Sequence, residues 1–111
     1  MTDPISNFFH LTPPLPDREQ FDAIVSTENV LIERIISTGQ TTPPGEWYDQ
    51  ERDEWVVLLQ GNAQLSYPDG SAIALKPGDY LLLPAHQKHR VEYTSLEPPC
   101  IWLAVHFLVD S

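Results

Sequence analysis

The stretch Pro77-Gly78-Asp79-Tyr80-Leu81-Leu82-Leu83-Pro84-Ala85-His86-Gln87-Lys88-His89 decides the fold. Pro-Gly-Asp is turn chemistry: proline presets one backbone angle, glycine tolerates the left-handed region, and aspartate bonds back to nearby amides. The apolar run Tyr80–Leu83 is too short for a helix and suits a buried strand. Pro84 stops that strand where a ladder donor is no longer needed. From His89 the pattern HRVEYTS alternates, as the next strand should.

The same rhythm of strand and turn extends in both directions. Upstream, VLIERIIS (30–37) is β-branched and roughly alternating, and TTPPGE (41–46) is a turn. EWVVLLQG (54–61) is a nearly continuous apolar run closed by glycine. NAQLSY (62–67) alternates and ends at Pro-Asp-Gly, and SAIALKPGD (71–79) is a short strand into a turn. Downstream, SLEPP (95–99) is a loop and IWLAVHFLV (101–109) a last strand. About seven or eight short strands with proline or glycine turns indicate an all-β sandwich or small barrel. Prolines number 11 of 111, about twice the usual share of roughly 5%, and proline excludes long helices.

The N-terminal part reads differently. Residues 1–16 form an aperiodic arm whose Phe8, Phe9, Leu11 and Leu15 are costly to expose. The arm is expected to be ordered, against the barrel wall or a partner subunit. Asp17 and Gln20 resemble a capping box, so a short helix is expected over about 17–24, with Phe21, Ile24 and Val25 on one face. The chain thus divides into an arm with a short helix (1–28) and a β-barrel (29–111).

Charge narrows the partners. Six basic residues face sixteen acidic ones, for a net charge of −10. Nucleic acid binding depends on basic side chains that displace counterions, so that class is rejected, and an anionic membrane surface is disfavoured for the same reason. The single cysteine, Cys100, excludes an internal disulfide. No basic start with an apolar run suggests a signal peptide, and no apolar stretch reaches the ~18 residues of a membrane span. A cytoplasmic protein is expected.

Two segments carry a family resemblance. In the second, Gly78, Pro84 and His89 are spaced as glycine, proline and histidine are in the second motif of the cupins. His86 stands where that motif usually has glycine. In the first, Glu54 and Gly61 match the glutamate and glycine that close the first cupin motif. The chain therefore resembles a small single-domain cupin over roughly residues 30–109. The resemblance implies a double-stranded β-helix, or jelly-roll barrel, with room for a ligand or metal at its mouth.

The first motif departs from the family. Its usual His-x-His pair falls on Trp47 and Asp49 if four residues precede Glu54, and on Tyr48 and Gln50 if three do. The first alignment is favoured, because Asp49 offers a carboxylate. The expected metal ligands are then Asp49, Glu54, His86 and His89, a mixed oxygen and nitrogen set that suits Zn, Fe, Mn or Ni without choosing among them. Each residue has a plainer reading. His89 can be a hydrogen-bonded pocket residue and His86 a solvated turn residue. Glu54 can be in a salt bridge, and Asp49 on a solvated acidic face. His106 shares a strand face with Trp102 and Ala104, and lines the pocket if that face is inward. Trp47 and Tyr93 are further pocket-lining candidates, and Arg90 belongs on the outer face. Glu54 and His106 are the candidates for moving a proton.

The resemblance implies a metal-binding domain acting on or sensing a small molecule. The missing histidine pair leaves open a non-catalytic binding module without metal. The aromatic arm and the Leu58–Leu59 run leave open a homodimeric interaction protein.

Overall fold

The computed structural model describes residues 5–108, and every element in it is a β-strand. In chain order these are β1 (Gln20–Ser26), β2 (Val30–Ser37), β3 (Asp53–Gln60), β4 (Ala63–Ser66), β5 (Ala72–Leu75), β6 (Tyr80–Leu83), β7 (Arg90–Thr94) and β8 (Cys100–Phe107). They form two antiparallel sheets, ordered β1-β2-β8-β3-β6 and β5-β4-β7. This is the expected all-β jelly roll. No helix of the described residues is long and apolar enough to cross a membrane.

The helix expected at 17–24 is not there. Gln20–Ser26 is a strand on the edge of the larger sheet, paired with β2 from Gln20↔Ile36 to Ser26↔Leu31. A lone helix of about two turns carries the full cost of nucleation with few bonds to repay it. The β2 edge, by contrast, offers a ready ladder of backbone partners. Thr27 fixes the turn between them: its Oγ1 accepts from the amides of Asn29 (3.3 Å) and Val30 (3.0 Å). The apolar triplet read as a helix face lies on this edge strand. Phe21, Ile24 and Val25 are all substantially exposed. A bulge at Ile24 interrupts the alternation, since Ala23 pairs with Glu33 and Val25 already with Ile32.

The described part of the arm lies along the outside of β2. Arg34 holds it there, donating to the carbonyls of Phe8 (3.2 Å) and His10 (2.6 Å). The same guanidinium pairs with Asp22 of β1 at 2.8 Å. Residues 1–4 and 109–111 lie outside the described part.

The core sits between the sheets. Val56, Leu58, Trp102, Ala104 and Cys100 of the larger sheet pack against Ala63, Leu65 and Leu75 of the smaller one. Burying each large aliphatic side chain contributes about 1.5–3 kcal/mol. Gly61 marks the tightest passage. Its φ is +89°, and a Cβ there would lie 2.7 Å from Ser95 Oγ and 2.9 Å from Cys100 Sγ. The glycine that closes the first motif is therefore required by both backbone and space.

Candidate functional site

The middle strands of the larger sheet bring three ionisable side chains to one end of the interior. β8 lies between β2 and β3, so His106 has a neighbour on each side. Glu54 of β3 is directly opposite it, and Glu33 of β2 is one diagonal step away, opposite Ala104. His106 Nε2 meets Glu33 Oε1 at 2.9 Å and Glu54 Oε2 at 3.9 Å. The hydrogen bond to Glu33 raises the His106 pKa above its ordinary value. Burial opposes this, and the carboxylates of Glu54 and Glu33 reinforce it. Both glutamates are buried, at 9% and 7% exposure. Buried carboxylates are tolerable only with partners of this kind.

The loop before β3 supplies the opposite wall. Tyr48 and His89 face each other as an isolated antiparallel bridge: Tyr48 N donates to His89 O at 2.8 Å, and His89 N to Tyr48 O at 3.2 Å. Residues opposite each other in such a pair share a face. Their rings accordingly stack, with centroids 5.3 Å apart. Gln50, two residues on, takes the same face, and its side-chain amide donates to Glu54 Oε1 at 2.8 Å. His89 is 5% exposed, and its Nδ1 meets Gln87 O at 3.1 Å.

This pairing settles which residues of the loop point inward. Tyr48 and Gln50 line the cavity. Trp47 and Asp49, on the odd face, turn out, contrary to the favoured alignment. Trp47 lies under the Arg90 guanidinium, 5.7 Å from ring centre to Cζ. Arg90 also bonds the carbonyls of Thr42, Pro43 and Glu46 and pairs with Glu92, so it straps this loop from outside. Asp49 Oδ1 meets His86 Nδ1 at 2.8 Å on the exposed rim. The expected ligands are thus split. Glu54 and His89 are inside, while Asp49 and His86 form a separate outer pair. Among the described residues no group of three or more His, Cys, Asp or Glu side chains is placed to hold a metal ion.

Of the expected pocket residues, His106 lines the cavity, together with Trp102 on its strand face. Tyr93 does not; it is half-exposed. On β7, Val91 pairs with Leu65 and Tyr93 with Gln64, so Glu92 is an extra, bulged residue. The bulge reverses the alternation after Val91, which keeps the inward place.

The space these residues line is about 130 Å³ and open on one side. Its apolar wall includes Ile35, Val56, Leu65, Leu83 and Val91. Glu19, just before β1, and Phe21, within it, also line it. Glu19 Oε2 accepts from Ser37 Oγ at 2.6 Å, and Ser37 Oγ accepts from Trp102 Nε1 at 3.1 Å. Burial raises the Glu19 pKa against the opposing effect of that serine bond. Chemically, the cavity sets a proton donor, His106, among carboxylate acceptors.

Glu19, Glu33, Tyr48 and Gln50 were not among the sequence candidates. Glu33 gave the same signal as Glu54, a lone carboxylate in an apolar strand. Tyr48 and Gln50 stood in the less favoured alignment. Glu19 gave none, because its segment read as a helix start.

Residues 34–106 match the family model described as Cupin domain. A solved Ralstonia eutropha JMP134 structure, described as a candidate mannose-6-phosphate isomerase, is 39% identical. It superposes with a TM-score of 0.89, over 96% of this chain and 100% of that one. A cupin superfamily protein of Desulfitobacterium hafniense DCB-2 is 20% identical, with a TM-score of 0.72 over 88% and 84% of the two chains. The RCS-specific HTH-type transcriptional activator RclR of Escherichia coli K12 is 40% identical over 47 residues. That match takes in 42% of this chain but only 16% of the regulator.

Proposed function

The chain belongs to the cupin family, and from that premise we propose that it is a small-molecule-binding module whose cavity works without a resident metal. The observation that carries this reading is the pairing of Tyr48 with His89. It puts a tyrosine and a glutamine on the inward face of the first motif, where the family's histidine pair would stand. Neither Tyr48 nor Gln50 is a replacement for two imidazoles, and Gln50 is already bonded to Glu54. The donor set therefore does not fit the expected Zn, Fe, Mn or Ni ion. The sheltered, mostly apolar space with a few convergent polar groups has the usual character of a small-molecule site.

The relatives bear on the role. Similarity to part of a transcriptional activator favours sensing over turnover. The Ralstonia protein's description suggests a phosphorylated sugar. Against this, no lysine or arginine is among the described lining residues, and a phosphate dianion needs such partners. A cavity of about 130 Å³ is also well below the ~300–1,000 Å³ of sites that enclose drug-sized ligands.

The test is a thermal-shift screen of small molecules on chelator-treated protein, alongside metal analysis of the protein as purified. Substoichiometric metal and a ligand-dependent rise in Tm after chelation are expected. A stoichiometric metal whose removal lowers Tm would overturn the reading.

A further inference from the structure

We infer that the cavity takes a small organic ammonium ion with an apolar body. The inference rests on the proposed binding role and names the ligand class for it.

Hydrogen-bond chemistry comes first. His89 is 5% exposed and its Nδ1 is committed to the Gln87 carbonyl, an arrangement in which Nδ1 donates. In the neutral imidazole Nε2 is then an acceptor, and it has no partner among the described residues. Every sealed-off side-chain nitrogen or oxygen of those residues does have a partner. Nε2 must therefore open onto the cavity that His89 lines. Glu54, 7% exposed, is in the same position. Gln50 satisfies Oε1, while Oε2 is 3.9 Å from His106, beyond hydrogen-bond reach. Two buried side chains thus present free acceptors to one space.

Charge points the same way. Glu19, Glu33 and Glu54 line the cavity against two imidazoles, His106 and His89, with no lysine or arginine among the described lining residues. His106 is bonded to Glu33. Arg52, whose field opposes proton uptake by His106, is not among those lining residues. The field of the three glutamates favours a cation that donates hydrogen bonds. The aromatic faces of Tyr48 and Trp102 and the aliphatic wall suit the rest of the ligand.

The experiment is calorimetric titration of the full chain, chelator-treated, at pH 7. The probes are n-butyl-, cyclohexyl- and benzylammonium, each with the matching alcohol and carboxylate, plus mannose 6-phosphate. At least one ammonium ion should bind about tenfold or more tightly than its alcohol, as charge-assisted bonds exceed neutral ones, and its carboxylate should not bind. Glu54→Gln should remove about tenfold of the ammonium preference while leaving alcohol binding in place. Glu19→Gln, at a half-buried position, should weaken it in the same direction and serves if Glu54→Gln does not fold. Preference for a carboxylate or for mannose 6-phosphate overturns the ammonium inference and leaves a binding module standing. So does an ammonium preference that survives both substitutions. No binding by any probe overturns the inference; failure of the broader screen as well removes the binding role itself.

Discussion

His86 has a φ of +64°, the sole described non-glycine residue in the left-handed region. Its position is where the family motif usually has glycine, and the geometry gives the reason. The turn from β6 must reverse so that the His86 amide can reach the Gln50 carbonyl at 2.7 Å. A side chain there costs roughly 1–2 kcal/mol, and the exposed pair with Asp49 returns little. His86→Gly should therefore raise unfolding stability by about 1 kcal/mol in urea denaturation, while His86→Val should lower it. A second prediction concerns His106. Its folded pKa lies above the ordinary value of 6.5, chiefly through Glu33. The stabilisation is then fully present below about pH 6.5 and is lost as pH rises through the raised folded value. The stability difference between the native protein and His106→Gln, about 1–3 kcal/mol for a bond to a charged group, should shrink steadily in melts from pH 6 to pH 9.

At the scale of elements, β1 is the weak member. It pairs on one side only, and most of its side chains are exposed. Its attachment depends on the turn that Thr27 braces. Thr27→Ala should cost about 1 kcal/mol and speed hydrogen exchange at β1 amides, leaving those of β3 and β8 unchanged. This strand was also where sequence reasoning went astray. A capping-box pattern and a three-residue apolar face are local signals, and they favour a helix when no neighbour is considered. The strands from β2 onward were legible because their alternation and turn residues are local too. VLIERIIS matches β2 (Val30–Ser37) residue for residue. That Trp102 and His106 share a face followed from the same alternation, but not that this face turns inward, nor the place of Tyr93. One bulged residue, Glu92, reverses the face, and nothing in HRVEYTS announces it.

For the molecule as a whole, the net charge of −10 acts against compactness. Self-repulsion at this level is screened within about 10 Å at 0.1 M salt. Raising sodium chloride from 10 to 300 mM should therefore increase Tm by a few degrees, read by calorimetry; no change would mean the charges are already balanced locally. The barrel interior shares the acidic excess, with Glu19, Glu33 and Glu54 beside the two imidazoles of His89 and His106. By itself the sequence determined the all-β jelly roll, the strand and turn order, and the inward places of Glu54 and His89. These rest on period-two patterning and turn chemistry, which act over a few residues. Only the tertiary structure decided what surrounds them. Whether Tyr48 or Trp47 faces the cavity depends on which residue lies opposite His89, forty-one positions later in the chain. That register is set by long-range backbone pairing, and a shift of one residue exchanges every inward side chain for an outward one.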